Sequence, residues 1–160
     1  MLKRSLLAAV ALCATPAHAS LTASSLTVTE DAIEQSIGTP VSWTRNGGSC
    51  KPKGNGGVIQ GYFRPSDNTI TICQNDRIRS SGILNTLMHE GWHAQQDRCS
   101  KRPVLSDHEI TRHLTAADRR EIRKFYPVSQ HRAEAEARAV ANQYDTDPDG
   151  YARLIRSLCA

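Results

Sequence analysis

The sequence has no long apolar run. The one stretch near that description, Leu6 to Ala14, is too short to span a bilayer as a stable helix, and nothing later is apolar enough. No membrane span is expected. Charge is not lopsided either: 20 basic and 16 acidic residues give +4, too even to argue for nucleic acid or an acidic membrane surface as partner. No two cysteines have the C-x-x-C spacing of a structural zinc site. Lys51 and Lys53 lie in a glycine-rich stretch, but there is no G-x-x-x-x-G-K-[ST] to cradle a phosphate. Internal repeats, low-complexity runs and signs of a second domain are missing, and 160 residues suffice for one domain with a modest core.

What is present begins with an export signal. Lys3 and Arg4 form a basic start, Leu6 to Ala14 an apolar run, and Ala17-His18-Ala19 a small-x-small cleavage site. Residues 1–19 therefore read as a secretory signal peptide and residues 20–160 as the mature, secreted or periplasmic domain. An uncleaved anchor is one alternative. A lipoprotein using Cys13 is another, although Leu12 stands where such a signal wants a small residue. Without Lys3 and Arg4 the chain keeps 18 basic and 16 acidic residues, a balance of +2. Cys13 leaves with the signal. Cys50, Cys73, Cys99 and Cys159 remain, and an even count in an exported chain implies two disulfides with three possible pairings. Cys50–Cys73 would tie the glycine-rich loop to a strand. Cys99–Cys159 would tie the last helix to the end of a central one. This is the favoured pairing.

The local patterns predict an α+β domain. Ser20 to Ser25 is a polar, mobile lead-in; Thr27-x-x-Glu30 has the form of a capping box, with Val28, Ile33 and Ile37 following, and Gly38-Thr-Pro40 stops the helix. Val41 to Thr44 alternates like a short strand. Asn46 to Gly57 is a loop. Val58 to Phe63 and Thr69 to Cys73 read as a hairpin around Arg64-Pro-Ser-Asp-Asn68. Ile83, Leu84, Leu87, Met88, Gly91 and Trp92 recur at threes and fours, an amphipathic helix with Trp92 in the core. Ser106-x-x-Glu109 and Thr115-x-x-Asp118 open helices near 107–113 and 116–125. Ser129 caps a helix over His131 to Tyr144. Asp147-Pro148 opens a last one, with Tyr151, Leu154, Ile155 and Leu158 on its apolar side.

Within the amphipathic helix stands His89-Glu90-Gly91-Trp92-His93. Residues four apart share a helix face, so His89 and His93 can aim two imidazoles at one zinc ion, with Glu90 as general base of a metal-assisted hydrolase. The plainer alternative is a helix with two surface or half-buried histidines. A third ligand should come from a later helix, where Glu134 and Glu136 are the acidic choices. On a helical wheel Glu134 shares the face of Ala137, Ala141 and Tyr144, whereas Glu136 lies roughly 100° away. Glu134 is preferred; against both stands a solvated face of i,i+4 pairs such as Glu134 with Arg138. Asp97, four after His93, could accept its second ring N–H. His131 and Tyr126 could each donate to a developing oxyanion. His108 and His113 are five apart and face differently.

His-Glu-Gly-Trp-His with a preceding strand and a downstream Glu-Ala-Glu-Ala helix resembles the gluzincin-type zinc metallopeptidases, roughly over Val58 to Tyr144. Only the two short motifs are specific. The resemblance implies His89, His93 and Glu134 as ligands of Zn2+, Glu90 as base, and a minimal zincin-like domain with a small antiparallel sheet packed on the motif helix. In those families an acidic or amide residue four after the ligand glutamate often braces a ligand histidine; Arg138 stands there instead. The stretch from His93 to Cys99 also resembles small exported bacterial proteins of unassigned role. The expected activity is hydrolysis of a peptide or protein substrate by a monomer, with a substrate strand pairing on an edge of the hairpin. Two other readings stay open: a non-catalytic exported metal- or partner-binding module, and a hydrolase of cell-wall amides.

Overall fold

The structure, a computed structural model, describes residues 17–45, 48–50, 59–74, 80–100 and 103–160. Its middle is a helix of 19 residues, Ser80–Arg98 (α2), whose Leu84, Leu87, Met88 and Trp92 are all buried. Two other helices lean on it. Ala17–Ile37 (α1) contributes Ile33 and Ile37, and His131–Tyr144 (α5) contributes Ala137, Val140 and Ala141. The small residues of α5 let its backbone come close to α2. That proximity brings side chains of the two helices within reach of one metal ion.

Three strands complete the core: Val41–Thr44 (β1), Gly61–Arg64 (β2) and Thr69–Cys73 (β3), in the order β1-β3-β2. β2 and β3 are antiparallel, but β1 runs parallel to β3, so the sheet is mixed and not antiparallel as expected. The reason is connectivity. β1 and β2 take the two outer positions and run in opposite directions, and the hairpin turns β2 back into β3 between them, so β3 takes the direction of β1. β1 is also held on α1, where the Trp43 indole N–H donates to Glu30 (3.1 Å) and the Val41 N–H to Glu34 (2.9 Å). Buried Ile70 and Ile72 of β3 join the core cluster with α2.

The remaining helices are Asp107–His113 (α3), Ala116–Phe125 (α4) and Pro148–Leu158 (α6). Both capping boxes form, Ser106 with Glu109 and Thr115 with Asp118, and Asp147 caps α6 by accepting from the Gly150 N–H at 2.8 Å. Both favoured disulfides are bonded, Cys50–Cys73 and Cys99–Cys159. Such bonds persist in oxidising surroundings. Among the described residues no helix is long and apolar enough to cross a membrane.

Three expectations are corrected. The first helix starts at Ala17, so it runs through the predicted cleavage site and through Ser20 to Ser25. Thr27 therefore caps nothing: its hydroxyl donates to the Ala23 carbonyl (3.1 Å), as Thr29 does to Ser25 (2.9 Å), one turn back inside the helix. Ser129 is not an N-cap, because a short 3-10 turn, Val128–Gln130, leads into α5. The strand expected from Val58 begins at Gly61. The basic start, the apolar run with Cys13, and most of the loop from Asn46 to Gly57 lie outside the described residues.

Gly91, inside the histidine motif, faces away from the histidines toward α1 and α6. A methyl group there would sit 2.5 Å from both Ile33 Cδ1 and the Tyr151 hydroxyl. That hydroxyl is fully buried and donates to the Met88 carbonyl at 2.9 Å, and burial pushes its pKa far up. Gly91→Ala must displace this packed contact. It is expected to cost about 1–3 kcal/mol in urea unfolding; an unchanged midpoint would show that α1 and α6 yield freely.

Candidate metal centre

His89 and His93 project from consecutive turns of α2, and Glu134 projects from the first turn of α5 toward them. The His89 and His93 Nε2 atoms are 3.1 Å apart. Glu134 Oε1 lies 3.2 Å from His93 Nε2, and its Oε2 lies 3.5 Å from His89 Nε2. Four donors in a tetrahedron around zinc, at bonds of about 2.0–2.1 Å, stand roughly 3.3 Å from one another. The His89–His93 and His93–Glu134 separations lie close to that figure, His89 is nearest to the other carboxylate oxygen, and one donor atom from each residue lies within 4.8 Å of the other two. Two imidazole nitrogens turned toward each other and toward a carboxylate also need a cation or protons between them. Glu134 Oε2 is buried, with His89 Nε2 at 3.5 Å and no closer hydrogen bond. The three residues could hold a metal ion, and they form the single such group among the described residues.

Charge supports the same reading. Burial alone would raise the Glu134 carboxyl, but hydrogen bonds and charge from His89 and His93 bring it from 4.5 down to about 2. Burial would lower His93; the hydrogen bond and charge of Glu134 outweigh it and raise the imidazole. In metal-free protein the depressed carboxylate stabilises the fold above pH 4.5, and that contribution fades as pH falls toward 2. The raised imidazole contributes fully below pH 6.5 and loses its contribution as pH climbs through its folded value. The stability advantage of the parent over Glu134→Gln should therefore be largest between pH 4.5 and 6.5 and shrink on either side. Thermal unfolding of the metal-free pair checks this; a difference independent of pH would contradict it.

Glu136 does not join the cluster. It is 1 % exposed, more deeply buried than the wheel allowed, because it faces a second neighbour: the connection from α2 to α3. Its Oε1 accepts from the Val104 and Leu105 N–H groups, both at 2.6 Å, and its Oε2 from the Gln96 amide at 2.7 Å. The structure thus sorts the two glutamates, Glu134 to the histidines and Glu136 to a backbone anchor. Arg138 does not pair with Glu134. It bridges to Asp118 (3.2 Å) and Glu121 (3.1 Å), tying α5 to α4.

Glu90 is buried at 8 % exposure, and its Oε2 accepts from the Phe63 N–H at 2.8 Å. The ladder explains why that N–H is free to donate. Cys73 N–H bonds Gln60 C=O, and opposed antiparallel residues alternate between bonded and non-bonded pairs. Gly61 and Phe63 therefore turn their backbone groups away from β3, to the outer edge of β2. The strand is close to α2 here: a methyl at Gly61 would meet Thr86 Cγ2 at 2.7 Å.

Tyr126 ends α4 half-buried near the cluster. Burial and the negative charge of Glu134 push its phenol up, with Arg138 pulling the other way, so the hydroxyl keeps its proton. His131 is placed differently. Its Nε2 donates to the Tyr126 carbonyl at 2.9 Å, which holds the chain at Tyr126 in place. Asp97 is exposed, and the ring N–H of His93 goes instead to Gln96 Oε1, at 3.0 Å. Gln96 was missed because Asp97 offered the more familiar charged acceptor; three residues along a helix is equally one turn.

Comparison with protein families, with curated proteins and with solved structures finds no match for this chain.

Proposed function

We propose that the protein is an exported zinc-dependent hydrolase, a metallopeptidase of the gluzincin type with a zincin-like arrangement of helix and sheet. The observation that carries the reading is the convergence of His89, His93 and Glu134, whose donor atoms lie within 4.8 Å of one another, a donor set and spacing that suit zinc. Three protein donors among the described residues would leave a fourth position open, as a catalytic rather than a structural site does. The export signal over residues 1–19 accords with the two disulfides.

Zinc, when bound, lowers the pKa of a water molecule and polarises a carbonyl. The rest is the work of side chains and one strand. Glu90 takes a proton from the attacking water and passes it to the leaving amine as the C–N bond breaks. Its bond to Phe63 N–H sets the carboxylate at the outer edge of β2. An extended peptide pairing with that edge is presented to the base through backbone hydrogen bonds that do not depend on its sequence. Tyr126, kept protonated, donates to the carbonyl oxygen as negative charge grows on it. His131 supports Tyr126 through its carbonyl.

The test is hydrolysis of an unstructured protein by the disulfide-bonded chain, stopped by a chelator and restored by added zinc. No cleavage across varied peptide substrates by the zinc-loaded protein would leave a metal-binding module and remove the peptidase.

A further inference from the structure

One chain of hydrogen bonds is not used by the chemistry above. It starts at His93 and ends in the backbone between α2 and α3. His93 Nδ1 meets Gln96 Oε1 at 3.0 Å, Gln96 Nε2 meets Glu136 Oε2 at 2.7 Å, and Glu136 Oε1 takes the N–H groups of Val104 and Leu105. Every direction in this chain is fixed by its far end. Backbone N–H groups can only donate, so Glu136 must accept. Its second oxygen also accepts, so Gln96 must present its NH2 there. The same NH2 faces the Ala133 carbonyl at 3.3 Å, a second acceptor that forbids the flipped amide. Gln96 Oε1 is left for His93, and an oxygen can only receive. The proton of His93 is therefore on Nδ1.

We propose that Gln96 and Glu136 are positioning residues for the metal centre, a relay that keeps the Nδ1 proton of His93 and so reserves Nε2 for the ion. The inference rests on the metal reading given above. It assigns the bracing of a ligand histidine to a residue of α2 itself, backed by a buried carboxylate two residues after the ligand Glu134. The position four after Glu134 is occupied by Arg138, which faces α4. The relay also ties the site to Val104 and Leu105, so the path from α2 to α3 and the orientation of a ligand are set by one carboxylate. An acceptor behind a metal-bound imidazole fixes its ring and raises its basicity, and losing it typically costs about 10–100-fold in metal affinity.

The test uses the full disulfide-bonded chain, Gln96→Met and Gln96→Glu. Methionine matches the length and removes the bonds to His93, Glu136 and Ala133. Glutamate keeps an oxygen against Nδ1, and by taking one proton it can still donate to Glu136, with a short bond between the two carboxyl groups. Zinc affinity is read by competition with a chelator. The Nδ1–H proton of His93 is read by 15N-edited NMR, in zinc-loaded and in metal-free protein. The parent should show a protected Nδ1–H signal. Gln96→Met should lose it to solvent exchange and bind zinc about 10–100-fold more weakly. Gln96→Glu should keep the signal and stay within a few-fold of parental affinity, even though a second carboxyl against Glu136 makes it the less stable fold in thermal unfolding. A merely structural Gln96 would give the opposite order. Parental affinity in Gln96→Met, or a missing Nδ1–H signal in the parent, overturns the relay. A parent that binds no zinc but shows the protected proton overturns the metal reading and leaves the relay standing.

Discussion

Glu90→Gln is expected to bind zinc as the parent does and to lose peptide hydrolysis by roughly 10²–10⁴-fold, the range a positioned general base contributes. The amide is the same size, and its oxygen can still accept from Phe63 N–H, as Glu90 Oε2 does at 2.8 Å. Packing and the placement of β2 are thereby preserved. What is lost is the capacity to take a proton from water. His89, His93 and Glu134, the proposed ligands, are untouched. The informative pattern is thus a fall in kcat with KM nearly constant, as expected if the proposed substrate strand meets the edge of β2 and not the base. A variant that kept its rate would remove Glu90 from the reaction, and one that lost zinc would make it part of the metal's support.

The second large effect separates two glutamates two positions apart on one helix. Glu134→Ala should weaken zinc by more than about 100-fold, beyond the range for outer residues, while the metal-free fold persists. Glu136→Ala should chiefly destabilise the fold. It leaves the N–H groups of Val104 and Leu105 and the amide of Gln96 without their acceptor, an expected loss of about 2–4 kcal/mol. That is a large part of the 5–15 kcal/mol typical of a domain. Zinc titration and urea unfolding of both variants read the two effects independently. Equal phenotypes would mean that α5 does not distinguish its two faces as described.

The sequence carried most of the α+β architecture because its signals are local. Capping at Ser106, Thr115 and Asp147, the Gly38 stop and the spacing of apolar residues in α2 act within a few residues. The pairing of Cys99 with Cys159 was legible for a related reason: both lie at helix ends, so few partners suit either. The parallel placement of β1 was hidden, since it depends on which strand of the later hairpin β1 joins. The start of α1 was hidden too. Its serines and threonines are poor helix signals, and back-bonded hydroxyls such as those of Thr27 and Thr29 leave no trace in the sequence.

At the site, His89, Glu90 and His93 announce themselves, because four-residue spacing on a helix has one geometric outcome. Glu134 could be ranked above Glu136 from the wheel alone. Their separate tasks could not be read, because the partner of Glu136 is the backbone of Val104 and Leu105, which any sequence supplies. Gln96 was hidden by the same feature: its role exists only once α5 has brought Glu136 to it.

The central claim is that three side chains on two helices bind zinc with a position left open. Metal content of the purified, disulfide-bonded chain tests it most directly, by mass spectrometry under native conditions and elemental analysis of the same sample. One zinc per molecule, lost in His93→Ala and in Glu134→Ala, is the predicted result. A properly folded chain with no stoichiometric zinc, even after incubation with the metal, would contradict the account.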